Sequence, residues 1–97
     1  ISVVCPQLNI GKNKPYEFEL FPNPANDKLT IVWQGNEEYN VSYSIVDSYG
    51  RIIMERNPGV ISDRINQQED ISDLQRGIYF FRIMFGEEGS CKMFVKE

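Results

Sequence analysis

Residues 70–85 constrain the fold more than any other stretch of this 97-residue chain. The stretch begins with polar turn formers, bends at Gly77, and continues into eight residues rich in aromatic and β-branched side chains. Such side chains favour the pleated surface of a strand, and turn formers in front of them mark where the strand begins. The sequence therefore predicts a loop that leads into a long, largely buried strand.

The start of this strand carries a second signal, the spacing of Asp73, Gly77 and Tyr79. It matches the corner of immunoglobulin-like sandwiches, where a tyrosine near the start of a central strand bonds to backbone a few residues upstream. Gly77 allows the chain to turn sharply because it has no Cβ. We expect Asp73, Gly77 and Tyr79 to form such a structural corner.

Alternation of apolar and polar residues predicts further strands, separated by turns at spacings of roughly 8–12 residues. The predicted strands cover residues 16–21, 28–33, 41–45, 51–56, 64–66, 78–85 and 90–97. Residues 22–27 should form a rigid bend that cannot continue a sheet, because two prolines fix φ and lack a donor. Residues 57–59 should break the chain again.

These strands and turns predict an all-β fold, an immunoglobulin-like antiparallel β-sandwich of about seven strands. The sandwich should cover residues 16–97, and residues 1–15 should be a linker or the tail of an upstream domain. The chain starts without an initiator methionine or a basic signal-peptide region. We therefore expect it to be a piece of a longer protein.

The composition argues against several functions. The net charge is −4 and the ten basic residues are scattered, which disfavours nucleic-acid binding. Histidine is absent, so the commonest general base and metal ligand is missing. Acidic pairs could supply oxygens to calcium, but they form no regular ladder of ligands. We predict no catalytic residue, no metal site, no cofactor and no membrane-spanning segment.

The two cysteines, Cys5 and Cys91, are too few and too far apart in sequence for a zinc site. A disulfide between them would close a loop over most of the chain and contribute about 4–5 kcal/mol in the loop-entropy model. Two unpaired thiols are the alternative, since sequence does not establish proximity.

Four blocks of sequence, taken together, resemble one known family. They are Phe-Pro-Asn-Pro-Ala-Asn-Asp-Lys-Leu-Thr-Ile at 21–31, Val-Asp-Ser-Tyr-Gly-Arg at 46–51, Asp-Ile-Ser-Asp-Leu-Gln-Arg-Gly-Ile-Tyr at 70–79, and Lys-Met-Phe-Val-Lys at 92–96. In this order they resemble the motifs of type IX (Por) secretion system C-terminal sorting domains of Bacteroidetes-type bacteria. The cysteines are not part of that pattern, and Phe21 replaces its more usual tyrosine.

The resemblance implies a non-catalytic address label at the end of an exported passenger protein. Such a passenger crosses the periplasm, and the type IX translocon recognises the label. A surface sortase usually removes the label, and the passenger reaches the outer-membrane surface or the extracellular space. The expected recognition residues are the pair Gly50 and Arg51 together with Lys92, Phe94, Val95, Lys96 and Glu97. We also expect the terminal strand to offer its backbone edge to a partner sheet.

Two other functions stay open on the sequence alone. The chain could be an immunoglobulin-like accessory module that binds glycan or protein for a parent secreted enzyme, with Tyr39 and Tyr49 as exposed aromatic contacts. It could also be a plain structural spacer. The place where the reading frame stops, or a glycan bound through Tyr39 or Tyr49, would separate these alternatives.

Overall fold

The structure is a computed structural model that describes residues 18–35 and 37–97. The described chain contains seven strands and no helix. The strands are β1 (Glu19–Phe21), β2 (Lys28–Gln34), β3 (Tyr39–Asp47), β4 (Ile52–Ile61), β5 (Arg64–Asp70), β6 (Gly77–Phe85) and β7 (Glu88–Lys96). The prediction of an all-β fold with about seven strands is confirmed.

The strands form two antiparallel sheets that pack as a sandwich. One sheet has the order β1-β2-β5 and the other the order β4-β3-β6-β7. In constant-type immunoglobulin domains the fourth strand shares a sheet with the first, second and fifth, whereas here β4 pairs with β3. The sandwich is therefore established, and its assignment to the immunoglobulin-like class stays a prediction.

The core lies between the two sheets because each strand turns alternate side chains inward. On β6 the inward side chains are buried and those between them are half-buried or exposed. Phe81 is fully buried, and its ring centroid lies 5.5 Å from that of Phe18 and 5.1 Å from that of Tyr43. Near the last residues of β2 and β6, the ring centroids of Trp33 and Phe85 lie 4.9 Å apart. The predicted long, largely buried strand is thus the centre of the core.

The prediction of a chain break at residues 57–59 is wrong. The strand β4 runs through these residues, and its pairing with β3 shifts register between Arg56 and Gly59. Pro58 fits there because β4 is an edge strand, where a missing donor is tolerated. Gly59 has φ = 94°, a conformation that other residues rarely adopt. The turn-forming residues therefore produce a β-bulge instead of a loop.

A buried polar cluster joins the two sheets. Its central residue is Glu69 on β5, which is 5% exposed. Glu69 accepts a hydrogen bond from the Tyr43 hydroxyl on β3 and a salt bridge of 3.2 Å from Nη2 of Arg56 on β4. Burial, followed by the neighbouring Glu69 carboxylate, raises the pKa of Tyr43 well above its ordinary value. The Tyr43 hydroxyl therefore stays protonated and acts as a donor.

Within residues 18–35 and 37–97, no helical segment has the length and hydrophobicity of a membrane span.

Candidate recognition site at one end of the sandwich

The four sequence blocks meet at one end of the sandwich. Strand register brings Lys28 opposite Asp70 and Asp47 opposite Tyr79, while Gly77 lies opposite Lys96. We call this end, formed by residues 22–28, 47–51, 70–79 and 93–97, the motif end. Segments that are distant in sequence therefore build one continuous structure.

The first block is bonded to the last strand, and we call the bonds of Asn23 and Ala25 to residues 93–97 the clamp. The side chain of Asn23 accepts a hydrogen bond from the Val95 amide at 3.0 Å and donates one to the Met93 carbonyl at 3.3 Å. The Ala25 amide donates to the Val95 carbonyl at 2.8 Å, and the Ala25 carbonyl accepts from the Glu97 amide at 2.7 Å. The prediction that residues 22–27 cannot continue a sheet is wrong at Ala25, which forms a parallel bridge with Lys96.

This clamp changes the expected role of the terminal strand. The strand β7 is at the edge of the four-stranded sheet, but Asn23 and Ala25 bond the Met93 carbonyl, both backbone groups of Val95 and the Glu97 amide on this edge. An edge whose donors and acceptors are already bonded does not accept a further strand. The expected addition of this part of β7 to a partner sheet stays a prediction, and it would require the clamp to open.

The second block is a turn held by Asp47. One oxygen of its carboxylate accepts hydrogen bonds from the amides of Tyr49 and Arg51, both at 2.9 Å. The other oxygen forms a salt bridge of 2.8 Å with Nε of Arg51. Gly50 has φ = 90° and donates to the Asp47 carbonyl, which explains the glycine in this turn. The Arg51 guanidinium lies over the ring of Tyr49, 5.5 Å from its centroid, and Tyr49 is 82% exposed.

The hydrogen bonds of the Asp47 carboxylate are expected to make the stability of this turn sensitive to acid. Its pKa lies below its ordinary value, chiefly because the Arg51 amide donates to it, with further contributions from the Tyr49 amide and the Arg51 side chain that outweigh desolvation. A pKa that folding lowers stabilises the fold above the unfolded-state pKa, and this stabilisation is lost as the pH falls through the folded value. We expect Asp47→Asn to flatten the loss of stability below about pH 4, measured by denaturant unfolding at several pH values. An unchanged pH profile in Asp47→Asn would contradict this role.

The third block contains the expected corner. The Tyr79 hydroxyl donates to the Gln75 carbonyl at 2.7 Å, four residues upstream, and Gly77 has φ = 152°. Asp73 is exposed and forms no side-chain hydrogen bond to any described residue. Instead Asp70 accepts bonds from the amide and hydroxyl of Ser72 at 3.0 and 2.7 Å, and these bonds lower its pKa. The tyrosine and glycine thus occupy the expected geometry, while Asp70 holds the turn in place of Asp73.

Loss of the Tyr79 hydroxyl is expected to lower the free energy of unfolding. Tyr79→Phe removes the donor and leaves the Gln75 carbonyl without this partner, at a cost of about 1–2 kcal/mol in the free energy of unfolding. Tyr49→Phe is the matched control, because Tyr49 is 82% exposed. Chemical denaturation of both variants measures the difference. Equal midpoints for the two variants would count against the corner bond.

The expected recognition residues of the fourth block differ in how far they are exposed to solvent. Phe94 is fully buried and Lys96 is only 7% exposed, with Nζ of Lys96 donating to the Glu97 carbonyl at 3.1 Å. Val95 is half-buried, whereas Lys92 and Glu97 are exposed. Nζ of Lys92 lies 5.5 Å from the Phe18 ring centroid. A partner at this end can therefore contact Lys92, Val95 and Glu97 directly, while Phe94 contributes through the core.

The sequence interpretation missed an apolar surface beside the motif end. Ile78 pairs with Val95, and Phe80 pairs with Met93, on the outer face of the four-stranded sheet. Ile78 is 47% and Met93 51% exposed. We call these four residues the outer strip. Their positions are predictable from alternation, because they occupy the outward phase of β6 and β7, but four outward apolar residues resemble core residues in sequence.

Several expectations concern other parts of the chain. Cys5 and the proposed boundary at residue 15 lie outside the described residues, so the disulfide with Cys91 and the domain division stay predictions. Tyr39 is half-buried against Trp33 and Phe85, so the expectation that it is exposed is wrong. Tyr39 is the first residue of β3, whereas Tyr49 follows the last residue of that strand, so the two rings lie at opposite ends of β3. Among the residues described, no group of acidic, cysteine or histidine side chains is placed to hold a metal ion.

Comparison with known protein families gives a match over most of the chain. A family model described as "Secretion system C-terminal sorting domain" matches residues 19–97. No curated protein and no solved structure matches the chain. The matched range contains all four blocks and every strand of the sandwich.

Proposed function

Because this chain belongs to the family of secretion system C-terminal sorting domains, we propose that its folded motif end is the surface by which the type IX machinery recognises an attached passenger. The family assigns the chain as a type IX sorting signal, for export of an upstream passenger to the cell surface or exterior. The proposal adds the location of the recognition surface. It also includes a route through the periplasm and removal of the label by a surface sortase.

The convergence of the four blocks supports this proposal. Fold stability alone would be served by core residues spread along the sandwich, yet the blocks gather where β7 ends and Ala25 closes on it. Side chains from each of the first three blocks hold turns or the clamp. We infer that these bonds fix the shape of one end of the domain, so that a receptor reads a rigid surface.

Two exposed features at or beside the motif end are available for contact. The first is the Tyr49–Arg51 pair at the tip of the β3–β4 turn. The second is the outer strip, where Ile78 and Met93 expose about half of their surface. Exposed apolar side chains that lie together often mark protein interaction sites, and aromatic and arginine residues are enriched in interface centres. We propose that the translocon contacts both features.

A reporter fusion tests the function. The reporter carries a Sec signal in front and this whole chain behind, and is expressed in a bacterium with an intact type IX translocon. We expect the reporter outside the cell, and in the periplasm when the translocon is disabled or the chain is omitted. Export that does not depend on the translocon would refute the sorting function.

Matched substitutions test the location of the surface. Met93→Asp places a charge in the outer strip, whereas Val60→Asp places one on an equally apolar, 65% exposed site at the other end. We expect Met93→Asp to retain the reporter in the periplasm and Val60→Asp to be exported like the parent. Thermal unfolding of both variants checks that each remains folded. Normal export of a folded Met93→Asp variant would exclude the outer strip.

A further inference from the structure

A shallow trough runs along β3 on the outer face of the four-stranded sheet. Its floor contains Ser42 and Ser44, which lie on the outward phase of β3 between buried residues. Glu55 on β4 and Arg82 on β6 both pair with Ser44, one on each side. The longer side chains of the two flanking strands therefore form walls above a floor of small serines.

The two walls carry opposite charges that are not paired with each other. Because neighbouring strands lie about 4.8 Å apart, the backbones of Glu55 and Arg82 are about 10 Å apart across Ser44. Both residues are exposed, and neither side chain forms a hydrogen bond or an ion pair within the part of the chain that the structure describes. A carboxylate and a guanidinium thus face the same trough and leave room for a ligand between them.

The size of the trough favours an extended polypeptide as its ligand. Its volume is about 210 Å³, below the roughly 300–1,000 Å³ of pockets that enclose a small molecule. Of the described residues that line it, only Tyr43 is aromatic, and this ring is buried, so the trough offers a sugar no stacking platform. Successive side chains of an extended chain point to opposite sides and can therefore reach both charged walls.

At the motif end the trough meets an apolar surface. The next step of the register places Ile52 and Phe80 on either side of Val46. Val46 is fully buried although it does not belong to the core between the sheets, whereas Ile52 is 55% exposed. Residues on one face of a strand are two positions apart. An apolar side chain two positions from a charged pair in the ligand therefore reaches this surface.

We propose that the trough binds an extended segment of a partner protein in which an acidic and a basic residue are adjacent and apolar residues lie two positions away. The acidic side chain bonds to Arg82, since a guanidinium and a carboxylate form two parallel hydrogen bonds. The basic side chain pairs with Glu55, and the hydroxyls of Ser42 and Ser44 bond to backbone groups of the segment. The inference rests on the proposed function for the source of the segment, which belongs to the translocon.

Two synthetic peptides test the binding on the whole chain. The first is acetyl-Leu-Ser-Asp-Lys-Ser-Leu-amide, with a leucine on each side of the charged pair so that it suits either direction along the trough. The second has Asn-Gln in place of Asp-Lys. In an NMR titration of the isotope-labelled chain, we expect the charged peptide to shift the amides of Ser42, Ser44 and Arg82. The neutral peptide should bind about fivefold more weakly or less. Equal affinity for the two peptides, or no shift of these amides, would overturn the proposal.

Substitutions in the walls show which groups bind the charged peptide. Arg82→Gln and Glu55→Gln should each weaken its binding about threefold or more, because each removes one ion pair. Arg64→Gln neutralises an exposed arginine on β5 in the other sheet and should leave the affinity unchanged. Thermal unfolding checks that all three variants are folded. An equal loss of affinity in Arg64→Gln and Arg82→Gln would indicate unspecific attraction and contradict a site in the trough.

The export assay separates this inference from the proposed function. A reporter fused to the Arg82→Gln chain should accumulate in the periplasm when the translocon is intact. If this variant loses peptide binding and its reporter is still exported like the parent, the segment does not come from the translocon and the inference fails. The sorting function would then still stand on the translocon-dependent export of the parent reporter. Export of the parent without the translocon would instead refute the sorting function, and with it the source named for the segment.

Discussion

Phe81→Ala is expected to lower the free energy of unfolding by about 3–5 kcal/mol. Phe81 is fully buried, and its ring packs against the rings of Phe18 and of Tyr43 on β3. Its loss removes apolar burial and leaves a cavity in the most densely aromatic part of the sandwich. A single domain of this size has a total stability of about 5–15 kcal/mol. The variant should therefore be close to unfolding, which urea denaturation will measure.

Ile78→Ala is the control for the Phe81 prediction. Both residues lie on β6, but Ile78 points outward and is 47% exposed. Truncation of a side chain so exposed should change the unfolding free energy by less than about 1 kcal/mol. Similar losses in the two variants would contradict the assignment of inward and outward faces on β6.

Arg56→Ala is expected to give the second large loss in the free energy of unfolding. The variant leaves the 5% exposed Glu69 carboxylate with the Tyr43 hydroxyl as its remaining partner among the described side chains. Removal of one partner from a fully buried ion pair costs about 3–5 kcal/mol. Because the Arg56 side chain is 49% exposed, solvent screens part of this interaction, and we expect about 1.5–3 kcal/mol. Denaturant unfolding at neutral pH measures the loss.

A double variant shows whether the buried charge is the cause. In Arg56→Ala with Glu69→Gln, the side chain at position 69 is neutral and does not need a cation. We therefore expect the double variant to be more stable than Arg56→Ala alone, as a double-mutant cycle would show. Arg64→Ala, which removes an exposed arginine from β5, serves as the control for loss of positive charge. A double variant that is less stable than Arg56→Ala would contradict the charge argument.

Local pattern was sufficient to predict most of the fold. Alternation placed β2, β3, β6 and β7 within a few residues of their observed bounds, because each has one buried face and a two-residue period. The Tyr79 hydrogen bond was also predictable, since it spans only four residues. The bulge at residues 57–59 was not, because its turn-forming residues are compatible with both a loop and an irregular edge strand. Pairing with β3 decides between the two.

The candidate site could not be predicted from local sequence patterns, because it is formed by contacts between residues far apart in the chain. Asn23 bonds Val95 across 72 residues of sequence, so nothing near Asn23 indicates that its amide completes a strand edge. Lys96 shows a similar limit. A lysine in a terminal strand is ordinarily exposed, but here the neighbouring Ala25 segment encloses it. The resemblance supplied the four blocks, and only the structure places them at one end.

The junction of Ala25 with β7 makes the two ends of the family-matched region mutually dependent. Ala25 receives one hydrogen bond from Glu97 and donates another to Val95, so a polypeptide cut short by three residues would lose both at once. During synthesis the Pro-Asn-Pro-Ala segment is made long before its partner strand. This region can therefore reach its final structure only after residues 95–97 have been synthesised.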